Sequence, residues 1–228
     1  MTRDLRKDLP PMPAGIAALP VGPNGYPVPW FVQWIDGKPE FRIMDGRRFQ
    51  RAIMERLCWT CGRKLGADLA FVIGPMCAVN RISSEPPSHP ECAAFTVRAC
   101  PFLSRPHMAR REGGLPAETH SAGTAILRNP GVALVWLTRT YGRVSDGRGG
   151  MLLRVGKPIR ISCYAEGRLA TKPEVIESIQ TGLPLLREIA EKQGVHAVRA
   201  LRSDVGVAMR TLGYWPGDVT LDVPAAAV

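Results

Sequence analysis

Long apolar runs are missing from this 228-residue chain. None approaches the roughly 20 residues needed to span a bilayer, which excludes a transmembrane helix. The opening residues Met1-Thr2-Arg3-Asp4-Leu5-Arg6-Lys7-Asp8 lack the apolar stretch of a signal peptide, so a cytoplasmic location is expected. Catalytic signatures are missing too. There is no Gly-x-Ser-x-Gly elbow and no paired-carboxylate pattern. Asp146-Gly147-Arg148-Gly149-Gly150 is glycine-rich, but it lacks the Lys-Ser/Thr of a phosphate-binding loop and precedes a strand. It reads as a hairpin turn. Glu188, Glu191 and His196 do not cluster as ligands, and the chain has no internal repeat.

Lysine is scarce, six against 24 arginines, within a formal net charge of +10. Such a balance fits a polyanion partner, and arginine suits phosphate forks. The same excess of Arg, Ala, Gly and Pro also follows from a GC-rich genome. The charge is spread evenly: +3 over residues 1–57, +3 over 58–130 and +4 over 131–228.

Six cysteines are present, two of them as C-x-x-C, a usage that points to reduced thiols and metal rather than a disulfide framework. Cys58 and Cys61 form C-W-T-C; His89 and Cys92 form H-P-E-C. Two close pairs of soft ligands are what a tetrahedral zinc ion needs. Between them lie two apolar runs, 69–73 and 78–82, separated by Gly74-Pro75-Met76-Cys77, which predicts a β-hairpin. Ser88 as N-cap and Glu91 three residues later predict a capping box, opening a helix over about 89–100 that Pro101 stops. His89 and Cys92 then share one face of its first turn. Three thiolates and one imidazole close the tetrahedron, so the expected zinc is structural. Metal binding, about 10–16 kcal/mol in finger peptides, would supply much of the local folding energy. Cys100, about two helical turns beyond Cys92, is too far away to share the ion. Cys77, at the expected turn, reads as a small buried hydrophobe. A thiol enzyme built on it would need His107 or His120 as its base.

Residues 1–28, rich in Pro and Gly, predict an extended, poorly packed arm. Residues 30–45 predict a hairpin turning at Asp36-Gly37. Asp45 is expected to cap a helix over 47–57, with Phe49, Ile53 and Leu57 as its buried stripe. Residues 29–104 then make a zinc module, 105–130 a linker or irregular loop, 131–215 a second module and 216–228 a tail. The second module is expected to hold strands over 132–139, 151–155 and 159–165. A capping box, Thr171-x-x-Glu174, opens a helix that Gly182 and Pro184 are expected to split. Gly194 closes the next helical stretch, and Val198, Leu201, Val205, Met209 and Leu212 mark a last amphipathic helix. The expected fold class is α+β: a hairpin and helix leading into a zinc finger, then a β-meander as a small antiparallel sheet with C-terminal helices.

Through C-W-T-C, the paired apolar runs and H-P-E-C, residues 58–100 resemble the treble-clef zinc-finger superfamily. Residues 30–213 also look like a group of bacterial and phage proteins of unassigned activity, through C-W-T-C-G-R-K-L-G, F-V-I-G-P-M-C-A-V-N-R-I-S and E-V-I-E-S-I-Q-T-G-L-P-L-L. The superfamily implies a zinc scaffold, and it hosts nucleic-acid binders, protein adaptors and nucleases alike. Its nuclease form wants a His on the hairpin strand, where this chain offers only Asn80. The expected function is a non-enzymatic, zinc-stabilised binding protein. Nucleic acid is the favoured partner, met by Arg47, Arg48, Arg51, Arg63, Lys64, Arg81 and Arg98 and extended by Arg105, Arg110 and Arg111. Glu55, Asp68, Glu85, Glu91 and Glu112 are interspersed among them, as on an ordinary solvated surface. The alternative is a protein-protein interaction module, such as a phage-encoded modulator of a host protein.

Overall fold

A computed structural model describes residues 4–105, 129, 131–147 and 149–220. The chain is α+β. Its first half runs α1 (Ala14–Ala17), β1 (Val32–Ile35), β2 (Lys38–Met44), α2 (Gly46–Met54), β3 (Leu69–Ile73), α3 (Pro75–Asn80), β4 (Ile82–Ser83), α4 (Pro90–Ala99) and α5 (Pro101–Ser104). The second half runs β5 (Ala133–Thr138), β6 (Tyr141–Ser145), β7 (Met151–Val155), β8 (Arg160–Ala165), β9 (Arg168–Leu169), α6 (Lys172–Gln193) and α7 (Val195–Thr211). No helix among the described residues is long and apolar enough to cross a membrane.

Local chemistry explains several elements. Strands β1 and β2 form the expected hairpin, with Asp36 at φ 47° and Gly37 at φ 71°. Two left-handed residues are what a two-residue hairpin turn requires. Asp45 caps α2, its carboxylate accepting from the backbone N–H of Arg47 at 2.9 Å and of Arg48 at 3.1 Å. The helix stops at Met54, short of the expected 57, and Arg56 at φ 52° reverses the chain. The β6–β7 hairpin turns through Asp146 and Gly150 as expected; the Gly150 N–H donates to the Asp146 carboxylate at 2.7 Å.

The main sheet has the antiparallel order β3-β5-β8-β9. Strand β5 lies at its centre and is buried along its whole length. Its side chains alternate as a strand's must. Ala133, Val135 and Leu137 pack with Ala93 and Val97 of α4 on one face. Leu134 and Trp136 face the larger core, with Phe71, Met76, Ile179 and Met209. A second sheet has the order β4-β7-β6. Because β3 pairs with β5, the main sheet joins strands on both sides of the expected 105–130 linker. Most of that linker, including His107, Arg110, Arg111 and His120, lies outside the described residues.

The hairpin expected between the two ligand pairs does not form. Strand β3 pairs with β5, and β4 pairs with β7. Between them, Pro75 at the first position opens α3, which buries Met76, Ala78 and Val79. Proline there is pre-set for a helix and cannot extend a strand ladder. Helix α6 likewise runs unbroken through Gly182 and Pro184. Gly182 serves packing: a Cβ on it would stand 2.7 Å from the Met76 sulfur, so the Met76 side chain fills the space that Gly182 leaves on α6. The N-terminal residues are not a loose arm, since Ile16 and Val28 are each 1% exposed.

Candidate metal centre

Cys58, Cys61, His89 and Cys92 place their ligand atoms within 4.8 Å of one another. A zinc tetrahedron with bonds of about 2.0–2.3 Å needs edges of roughly 3.3–3.8 Å, so the donors lie near coordinating positions.

The first pair sits on a turn that follows α2. Leu57 bridges Lys64, the Cys58 N–H donates to the Arg63 carbonyl at 2.7 Å, and the Gly62 N–H donates to the Cys58 carbonyl at 2.8 Å. Gly62 is left-handed at φ 73°, and a Cβ there would press on the Trp30 ring at 2.6 Å. Glycine is therefore required twice over, by torsion and by space.

The second pair opens α4, one residue later than expected. His89 is the N-cap and Pro90 the first helical residue, so the Ser88–Glu91 capping box does not form. The Ser88 hydroxyl instead bonds the Thr60 hydroxyl at 2.8 Å and accepts from its N–H at 3.2 Å. Ser88 also exchanges two backbone bonds with Ala70 of β3, and the Trp59 N–H donates to the Pro87 carbonyl. These bonds bring the two pairs together, in the role the missing hairpin was expected to play. A knuckle and a helix start survive from the treble-clef resemblance.

His89 points Nδ1 at Cys61 Sγ, 3.4 Å away, and at Cys92 Sγ, 3.8 Å away. Its Nε2 meets the Lys64 carbonyl at 2.9 Å. A proton on Nε2 donates to that carbonyl and leaves Nδ1 free as a ligand, the usual second contact of a metal-binding histidine. The three thiols share protons unequally. Cys61 and Cys92 donate to Cys58, and the N–H groups of Cys61 and His89 each point at its sulfur from 3.4 Å. Cys58 is thereby drawn well below the ordinary thiol range, while Cys61 and Cys92 are pushed up by their bonding to Cys58. A cation would take all three as thiolates and remove the conflict.

An apolar shell surrounds the donors. Ile16 and Phe95 are buried against Cys58, Cys61 and Cys92, with Leu9, Met12, Leu19 and Leu65 beside them. Helix α1 lies directly on the knuckle: a Cβ on Gly15 would stand 3.0 Å from Cys61 Sγ. A cleft of about 550 Å³ opens between this segment and the knuckle, lined by Met12, Gly15, Arg63, Lys64, His89 and Glu91. The sequence reading missed this covering. Its only signal was a pair of isolated apolar residues, Ile16 and Leu19, among prolines.

The seven expected contact residues divide. The Arg48 and Arg51 guanidiniums both lie 5.8 Å from the Trp30 ring, on which Gly62 also packs. Arg47 precedes Arg51 by one helical turn, and the Lys64 ammonium donates to the Glu55 carbonyl at the end of α2. Arg48 and Arg51 thus lie over Trp30, Lys64 reaches the C-terminal end of α2, and Arg47 stands at the helix's opposite end. Arg48 is committed to structure, donating to the Trp30 and Val32 carbonyls, and Arg51 pairs with Glu55 at 2.7 Å. Arg47 and Arg63 are exposed, without an ion pair among the described residues. Arg81 lies elsewhere, donating twice to the Val155 carbonyl at 3.0 and 2.6 Å. Arg98, also exposed, is at the far end of α4 beside Gly167.

The remaining thiols are all partly buried. Burial pushes Cys77 and Cys163 up to about 11 and also raises Cys100. Asn80 caps its own loop, accepting from the Ile82 N–H at 2.9 Å. No protein-family model, curated protein or solved structure matches the chain.

Proposed function

We propose that this is a zinc-stabilised binding protein whose partner is nucleic acid. Zinc is favoured by the donor set, three sulfurs and one imidazole with no weak oxygen ligand. Four protein donors complete the tetrahedron, which suits a structural ion rather than a hydrolytic one.

The observation that carries the nucleic-acid reading is the set of basic side chains on α2 and the knuckle: Arg51 over Trp30, Lys64 tied to the end of α2, and Arg47 and Arg63 exposed without an ion pair among the described residues. These residues span 18 positions of sequence on two consecutive segments, α2 and the knuckle. Phosphates are met by such charges.

Metal analysis of the purified protein should find one zinc per chain. Titration of labelled oligonucleotides against salt should give affinity that falls steeply as salt rises. Replacing Arg47 and Arg63 by Ala should lower the logarithmic salt slope by about 2, near 0.9 for each lost phosphate contact. Binding that is absent even at low salt would defeat the reading. A protein partner is the second reading, favoured by the exposure of Trp34, Phe41 and Met54, the last 77% exposed. Capture from nuclease-treated lysate that depends on Met54 would support it.

A further inference from the structure

Helix α7 carries a second charged surface that the knuckle does not account for. Its inner face packs Val205, Ala208 and Met209 into the main core. Its outer face carries Arg199, Arg202 and Arg210, all exposed. At about 100° per residue the three fall within roughly 80° of arc, strung over about 16 Å of helix. Gly206 lies between them in that arc, and the Arg210 guanidinium reaches back over it, 3.5 Å from where a Cβ would be. None of the three arginines pairs with a carboxylate among the described residues. The nearest acid on the helix, Asp204, points well away from the arc. Some surface arginines elsewhere are neutralised, Arg187 by Glu191 and Arg168 by Glu174, whereas the three on α7 share one helix and one arc.

We propose that the outer face of α7 is a second phosphate-backbone contact, fitted to a nucleic-acid duplex. This deepens the nucleic-acid reading above and rests on it. Three unpaired guanidiniums on about 16 Å match the reach needed to bridge strands across a groove about 12 Å wide. Arginine supplies the planar fork a phosphate accepts. Insertion into a lipid surface is disfavoured: the apolar stripe of α7 is buried in the core, and only Val195 and Val207 are large apolar residues exposed on it.

The test uses the full-length, zinc-loaded protein, a labelled duplex and the triple variant R199Q/R202Q/R210Q. All three side chains are exposed, and a melting curve checks that the variant folds. Its affinity should fall about 10-fold or more at low salt, and the logarithmic salt slope should flatten by about 2.7. The triple variant R199K/R202K/R210K keeps the charge and should restore the slope. If the glutamine variant binds duplex like wild type while the Arg47/Arg63 variant does not, the α7 contact is overturned and the knuckle reading stands. If only the α7 variant loses binding, the α7 contact stands and the knuckle reading falls. A protein that binds no duplex overturns the α7 contact, and one that binds neither duplex nor single strand overturns both. Binding to phosphatidylserine vesicles that the glutamine variant loses, with duplex binding unchanged, would overturn the proposal in favour of lipid.

Discussion

The knuckle and the main core are stabilised by opposite means. Around β5 the chain buries a continuous apolar cluster that includes Phe71, Leu134, Trp136, Ile179 and Met209. Around Cys58 the apolar shell is thin, and four polar donors stand where a core would otherwise close. The core is a sum of many small contributions, so the loss of one leaves the rest. With the proposed zinc bound, the knuckle would depend on one ion and its stability would be concentrated at a point. A chain can thus place a rigid, charge-bearing surface where sequence supplies too few apolar residues to build one.

Removing the ion should show this contrast most strongly. Cys58→Ser should abolish zinc retention and melt the 9–28 and 55–66 segments, while hydrogen exchange of β5 and α7 stays slow. The metal contributes on the order of 10 kcal/mol in comparable small sites. Protection lost evenly across the chain would erase the distinction. Next in size is the converse change. Ile179→Ala opens a cavity at a side chain 1% exposed and should cost about 2–5 kcal/mol by denaturant titration, with the zinc content of the folded protein unchanged. Gly62→Ala is smaller and probes the seam between α2, Trp30 and the knuckle. Its left-handed torsion and the 2.6 Å approach to Trp30 should together cost about 1–3 kcal/mol and speed zinc loss to a chelator.

The smallest effect belongs to the capping box of α6. The Arg168 guanidinium, together with the N–H and hydroxyl of Thr171, holds the Glu174 carboxyl down at about 2, against an ordinary value of 4.5. A depressed carboxyl stabilises the fold fully above its unfolded value and loses that contribution as pH falls toward the folded one. Glu174→Gln should therefore lower the melting temperature slightly at neutral pH and leave it nearly unchanged near pH 2. A difference that grows on acidification would refute this assignment.

Local signals told the truth where one residue type decides the geometry. The ligand quartet, the Asp36-Gly37 turn, the Asp45 cap and the Thr171–Glu174 box were all legible, because each rests on neighbouring atoms. What failed depended on distant partners. The run 69–73 looked like half of a hairpin, yet its partner is β5, beyond the expected linker. The run 78–82 has strand-like residues, but Pro75 and the contact with α6 make most of it helical. Pro184 and Gly182 carry breaker chemistry that packing against α3 overrides. Pro90 moved the α4 cap by one residue, a shift that freed Ser88 to fasten the knuckle. The cover supplied by Ile16 was invisible because a four-residue helix has no period to read.

The bond pattern around Ser88 has a consequence for the unfolded chain. Cys61 and His89 are 28 positions apart, and the intervening chain contains β3, α3 and β4. A bound ion pinches that stretch into a closed ring. If the ion survives denaturation, the ring restricts the disordered ensemble much as a covalent cross-link of that span does, worth about 3–4 kcal/mol of lost chain entropy. Folding with the ion already bound should then begin from a shortened chain. Strand β3 would be held near the helix start it must join, so refolding should be faster with metal than without it, and the denaturant dependence shallower.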